Sequence, residues 1–129
     1  MELLMVAPVW LVSDVKASCE ELAALFDFEV RPYFQPPGEP IVYGIVERAP
    51  VRIHCSRAPD GIARPGRPHK EQHSDAYLFV DDVDAWHEQV VARGGTVLLP
   101  PTRQVYALKE MHVGLRDGFV LSLGQPVEV

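Results

Sequence analysis

His54 and Asp75 are the residues of this chain whose types and surroundings most invite chemistry. His54 stands in Val51-Arg52-Ile53-His54-Cys55-Ser56. A period of two puts Arg52, His54 and Ser56 on one strand face, with the apolar residues on the other. An imidazole on the polar face can ligate a metal, serve as a general base or hydrogen-bond a ligand; the plainer alternative is a half-buried His paired with a neighbour. Asp75 offers a carboxylate to a metal or a cationic substrate, against a strand-end Asp without a role. His73 lies two residues before it and points to the same face of a strand. His69 and His73 have the spacing of a helical metal pair, but Pro65 and Pro68 precede them and a solvated linker is the better description. Cys55 falls on the apolar strand face and Cys19 on a helical stripe, so both are core residues rather than nucleophiles. The sequence contains no Gly-rich phosphate loop, CxxC pair or nucleophile elbow.

Aromatic residues are the second signal. Phe34, Tyr43, Tyr77, Phe79 and Tyr106 fall on or near expected strands, where they could stack around a flat or heterocyclic ligand. Taken singly, each is better described as core. Trp86 and Trp10 are expected beneath helices, and His112 faces either a cleft or solvent.

The elements that must position these groups are written twice. Pro8-Val-Trp-Leu-Val-Ser-Asp14-Val15 returns as Ala76-Tyr-Leu-Phe-Val-Asp-Asp82-Val83. Val12, Asp14, Val15, Ala17, Glu20 and Ala24 meet Val80, Asp82, Val83, Ala85, Glu88 and Ala92 without a gap. Each copy predicts an apolar strand, an Asp that caps a helix, and an amphipathic helix. The first helix carries Val15, Cys19, Leu22 and Phe26 on one stripe and ends at Asp27, a residue type that tolerates left-handed backbone. The second carries Val83, Trp86 and Val90 inward and ends at Gly94-Gly95. Residues 4–12 are apolar enough for a buried strand rather than a signal peptide. Further strands are expected at Glu29–Phe34, Ile41–Glu47, Val51–Ser56, Ala76–Val80, near Thr96–Leu99, near Glu110–Leu115 and at Phe119–Leu123. The last two join at a tight Asp117-Gly118 turn. The organisation is a first βαβββ module over 1–57, a Pro- and Gly-rich linker over 58–72, and a second module over 73–129.

With 129 residues, the chain is one domain or two half-size modules that would not fold well apart. Its apolar content of 47% and charged content of 23% are ordinary for a globular protein. A net charge of −6 disfavours nucleic acid as a partner and suits a cationic ligand. No segment is apolar enough over sufficient length to span a bilayer, so no membrane partner is expected. Two cysteines make no disulfide framework, and a reduced cytoplasmic setting follows as the simplest expectation.

This duplicated α+β order resembles the vicinal oxygen chelate superfamily, the group of glyoxalase I, extradiol dioxygenases, fosfomycin-resistance enzymes and bleomycin-resistance proteins. The resemblance rests on Val9–Val15 with the helix end Leu25-Phe26-Asp27-Phe28, which is similar to the family's "LGF". It rests also on Asp82-Val-Asp-Ala-Trp86 through Gly94-Gly95. The last motif is Lys109-Glu110 through Arg116-Asp117-Gly118-Phe119, similar to "REF…DPDGN" but with a shortened turn.

The resemblance implies two βαβββ modules forming an open, barrel-like cavity, and a homodimer. It also implies a site. Metal-using members place ligands on the first and last strand of each module, and those positions here are Ala7, His54, Asp75 and Ser122. Ala7 has no donor, and Ser122 stands where a carboxylate is usual; His73 is a possible third ligand with His54 and Asp75. The expectation is therefore a bleomycin-resistance-type protein without a metal, which binds or sequesters an aromatic or cationic small molecule. Phe34, Tyr43, His54, Asp75, Tyr77, Tyr106 and Ser122 would contact the ligand. The alternatives are a lyase, isomerase or dioxygenase using a divalent Fe, Mn, Ni or Zn on His54, Asp75 and His73 or His112, or a metal-free enzyme with His54 as catalytic base.

Overall fold

Two aspartates open the two helices. In a computed structural model, which describes residues 1–66 and 74–128, Asp14 Oδ1 accepts from the Ala17 N–H at 3.0 Å. Asp82 Oδ1 accepts from the Ala85 N–H at 3.1 Å. Each carboxylate satisfies a first-turn amide that has no partner inside its helix. The helices are α1, Val15–Phe26, and α2, Val83–Ala92. Asp27 ends α1 in the left-handed region at φ 57°, its N–H bonded to the Ala23 carbonyl. The Arg48 guanidinium donates to the Phe26 carbonyl at 3.0 Å. Beyond α2, the Gly95 N–H reaches back to the Val90 carbonyl at 2.8 Å.

The chain divides into two compact units, Met1–Arg64 and Pro65–Val129. The first holds β1 (Val9–Val12), β2 (Glu29–Val30), β3 (Tyr43–Arg48) and β4 (Val51–Arg57) with α1. The second holds β5 (Ala76–Phe79), β6 (Thr96–Arg103), β7 (Leu108–Gly114) and β8 (Val120–Pro126) with α2. The strand orders are β1-β4-β3-β2 and β5-β8-β7-β6. In each, the first strand lies parallel to the last and the other pairs are antiparallel. Both units are therefore βαβββ, as the repeat predicts.

Each helix covers one face of its own sheet. Val15, Cys19, Leu22 and Phe26 are all buried, as are Trp10, Val12, Val46, Ile53 and Cys55 on the strands of that unit. Gly44 allows α1 to come close to β3: a Cβ there would stand 2.8 Å from both Cys19 Sγ and Val15 Cγ1. In the second unit Val83 and Val90 are buried with Met111, Val113, Leu121 and Leu123. Each such side chain contributes about 1.5–3 kcal/mol by leaving water.

Several boundaries differ from expectation. Upstream of β1 the chain is not strand: pairing with β4 starts at Val9, and Leu3, Leu4 and Val6 remain exposed. β2 stops at Val30, just before Pro32, which cannot donate to a ladder; Phe34 rejoins only as a single bridge to Tyr43. β3 begins at Tyr43 rather than Ile41. β6 runs past Leu99 through Pro100 and Pro101, which an edge strand with irregular register tolerates. Trp86 is half-buried and not part of the core, because only Val83 and Val90 of α2 reach full burial. The Asp117-Gly118 turn is a single 3-10 turn over Arg116–Gly118, with Asp117 at φ 65° and Gly118 at φ 82°. His69 and His73 lie outside the described residues.

Candidate functional site

Covering one face of each sheet with a helix leaves the other face for chemistry. In the first unit the register pairs Tyr43 with Ser56, Ile45 with His54 and Glu47 with Arg52 on that open face. Tyr43 Oη lies 2.6 Å from His54 Nδ1, and the two rings meet edge to face with centroids 5.4 Å apart. This contact occupies one imidazole nitrogen and orients the ring. Arg52 pairs with Glu47 at 2.9 Å, and Arg31 approaches the same carboxylate at 3.9 Å. Phe34 is largely exposed beside them. The open face of this unit thus carries an oriented imidazole and a Glu47 carboxylate flanked by Arg52 and Arg31. A recess of roughly 280 Å³ opens elsewhere in this unit, at the start of α1, between Asp14, Lys16, Gln35 and Arg57; it includes none of the expected site residues.

The second unit centres on Glu110. Strand alternation puts Glu110 and His112 on the open face of β7, opposite Gly124 and Ser122 of β8. The parallel pairing of β5 sets Tyr77 beside Ser122 and Phe79 beside Gly124. Glu110 is 5% exposed. Its Oε2 accepts from Tyr77 Oη at 2.7 Å, and its Oε1 accepts from Tyr106 Oη. The His112 ring stands close by, with Nε2 3.8 Å from Oε1, too far for a hydrogen bond. Burial and the Glu110 carboxylate both push the Tyr77 phenol above its ordinary range. The hydrogen bond to Glu110, then partial burial, pushes Tyr106 up to about 12.

Two neighbours complete this face. Phe79 is 71% exposed, and its ring centroid lies 5.3 Å from that of Tyr77. The Ser122 hydroxyl is fully buried and has no hydrogen-bond partner among the described residues. Asp75 is differently engaged. Its Oδ1 accepts from the Gly66 N–H at 2.7 Å and its Oδ2 from the Val120 N–H at 2.8 Å. The carboxylate ties the segment before β5 to the start of β8.

The structure therefore brings Tyr43 together with His54 in one unit, and Tyr77 together with Tyr106 and Ser122 in the other, and it sets Asp75 on backbone amides. Glu110 enters the sequence reading only within the Lys109-Glu110 motif and not as a site residue, and Gly124 does not enter it. The available signal was a Glu in phase with His112 on an otherwise apolar strand.

The donor chemistry at the four metal positions can be tested directly. Ala7 supplies nothing, Asp75 has an amide on each oxygen, and Ser122 is a neutral hydroxyl. Among the described residues, no group of three or more His, Cys, Asp or Glu side chains is placed to hold a metal ion.

The sequence matches the family model of the Glyoxalase/Bleomycin resistance protein/Dioxygenase superfamily over residues 6–123, and the chain belongs to that superfamily. No curated protein matches it. Among solved structures it is similar to a glyoxalase-related enzyme from Clostridium phytofermentans, with 14% identity, 98% of each chain covered and a TM-score of 0.81. TioX from Micromonospora sp. ML1 superposes with a TM-score of 0.74 at 15% identity, over 96% of this chain and 99% of its own. TnmS3 from Streptomyces sp. CB03234, an antibiotic binding protein, gives 0.67 at 16% identity, over 98% and 99%. These likenesses establish the glyoxalase/bleomycin-resistance fold. No helix is long and apolar enough to cross a membrane among the described residues.

Proposed function

We propose that this protein binds a small aromatic or cationic molecule without a metal and sequesters it. The observation that carries this is the buried, unpartnered Ser122 hydroxyl on an aromatic open face. A buried hydroxyl without a partner costs about 1–3 kcal/mol, a cost that a bound ligand would remove. The poor fit of Ala7, Asp75 and Ser122 to a chelate supports the metal-free form, and the same fold serves antibiotic binding in TnmS3. The protein acts as a cytoplasmic homodimer in this proposal, with neither nucleic acid nor membrane as partner; exposed Leu3, Leu4 and Val6 are apolar surface that a second copy would cover.

The test begins with metal content per chain, followed by a thermal-shift screen of aromatic and cationic compounds. Little bound metal, with stabilisation by a subset of compounds, is the expected result. Near-stoichiometric metal that disappears in His54→Ala would overturn it in favour of a divalent-metal lyase, isomerase or dioxygenase.

A further inference from the structure

We infer that the open face of the second unit is a recognition site for an organic ammonium group, with Glu110 as its counter-ion and Tyr77, Tyr106 and Phe79 as its aromatic wall. This rests on the small-molecule-binding proposal above and names the charge class of the ligand.

Glu110 is a carboxylate removed from water, and burying a charge is costly unless it is compensated. Its hydrogen-bonding compensation here is two phenolic hydroxyls, both neutral, and the one ring nitrogen near it, His112 Nε2, stands 3.8 Å away, beyond hydrogen-bond reach. Two phenols hold the carboxylate in place without neutralising it, and each oxygen retains acceptor capacity. A protonated amine supplies what is missing, a positive charge with N–H donors.

The surroundings suit the organic part of such a ligand. Phe79 and Tyr106 are 71% and 55% exposed, and both belong to the Glu110 neighbourhood. Aromatic faces attract ammonium groups, more strongly where water is excluded. The Ser122 hydroxyl, fully buried and without a partner, lies on the same sheet face one alternate position from Gly124, the cross-strand neighbour of Glu110.

The backbone is also adapted to this arrangement. Tyr77 reaches Glu110 by passing over β8 at Gly124. A Cβ on Gly124 would stand 2.6 Å from Tyr77 Cζ, so a side chain there would displace the ring.

The test compares phenethylamine with phenethyl alcohol, which share the ring and differ in charge, by calorimetric titration of the full chain. The amine is expected to bind at least about tenfold more tightly, and Glu110→Gln is expected to abolish that preference, as loss of a charged hydrogen bond implies. The wild-type comparison requires no variant, and NMR shifts of the Phe79 and Tyr106 rings on adding the amine locate it. Equal affinity for the two probes, a preference that survives Glu110→Gln, no detectable binding of the amine, or binding that leaves both rings unmoved would each overturn the ammonium site. If both probes bind equally and shift these rings, small-molecule binding stands and only the ammonium assignment falls. If neither binds, the ammonium site is lost, and sequestration is decided by the compound screen.

Discussion

Tyr77 lies across β8 at Gly124, and that crossing delivers its hydroxyl to Glu110 on the next strand. The contact spans 33 residues of sequence, and it exists because position 124 has no side chain. Gly124→Ala places a Cβ within 2.6 Å of the Tyr77 ring. We expect a loss of about 1–3 kcal/mol, as for overpacked sites, and release of Tyr77 from Glu110. Chemical denaturation measures the first, and the Tyr77 titration midpoint measures the second. A Gly124→Ala protein with unchanged stability and unchanged Tyr77 titration would contradict this account.

The two tyrosines on Glu110 should ionise late. Tyr106 is pushed from an ordinary value of 10 up to about 12, and Tyr77 is raised as well. A raised folded-state value means that the neutral phenol is favoured by folding. The contact therefore contributes fully below pH 10 and is lost as pH climbs through about 12. Tyrosinate absorbance followed against pH should show Tyr77 and Tyr106 ionising late in the wild type, together with Tyr33, which burial also raises. Replacing Glu110 by Gln removes the negative charge and should return Tyr106 towards the ordinary range.

Asp75 should matter for stability rather than for metal. Both of its oxygens accept backbone amides, from Gly66 and from Val120. An Asn in its place would present an NH2 to one of those N–H groups. Asp75→Asn is expected to cost about 1–3 kcal/mol, with metal content per chain unaltered. Loss of a stoichiometric metal in this variant would show that the carboxylate is a ligand after all.

The duplicated caps predict duplicated penalties. Asp14→Ala and Asp82→Ala each remove one side-chain bond to a first-turn amide, at 3.0 and 3.1 Å. Each should destabilise by about 1 kcal/mol. Thermal melts of the single and double variants would check both the size and the near-additivity expected of separated sites.

The Tyr43–His54 contact predicts a tautomer. The contact itself fits either direction; we expect the phenol to donate to Nδ1, which leaves the proton of a singly protonated ring on Nε2. Nitrogen NMR of His54 should report the Nε2–H form in the wild type and a mixture in Tyr43→Phe.

The two βαβββ modules are legible in the sequence because each is encoded by local signals. An Asp followed by helical periodicity marks the start of α1 and α2, and strand alternation separates Ile53 and Cys55 from Arg52 and His54 without reference to any other segment. The sequence also supplied the aromatic candidates, since Tyr77 and Tyr106 sit in recognisable strand and turn contexts. Local signals failed where tertiary context overrode them: prolines ended β2 early yet were accepted in the edge strand β6, and Trp86 sits on the helical stripe without reaching the core. Tertiary structure alone decided the partners. Which residues share an open face follows from alternation, but which of them meet depends on register between strands distant in sequence. The parallel pairing of β5 with β8, and the antiparallel pairing of β8 with β7, bring Tyr77, Gly124 and Glu110 into line. The same register set Asp75 on backbone amides and left the Ser122 hydroxyl buried without a partner, because hydrogen-bond satisfaction depends on the assembled neighbours and not on residue type.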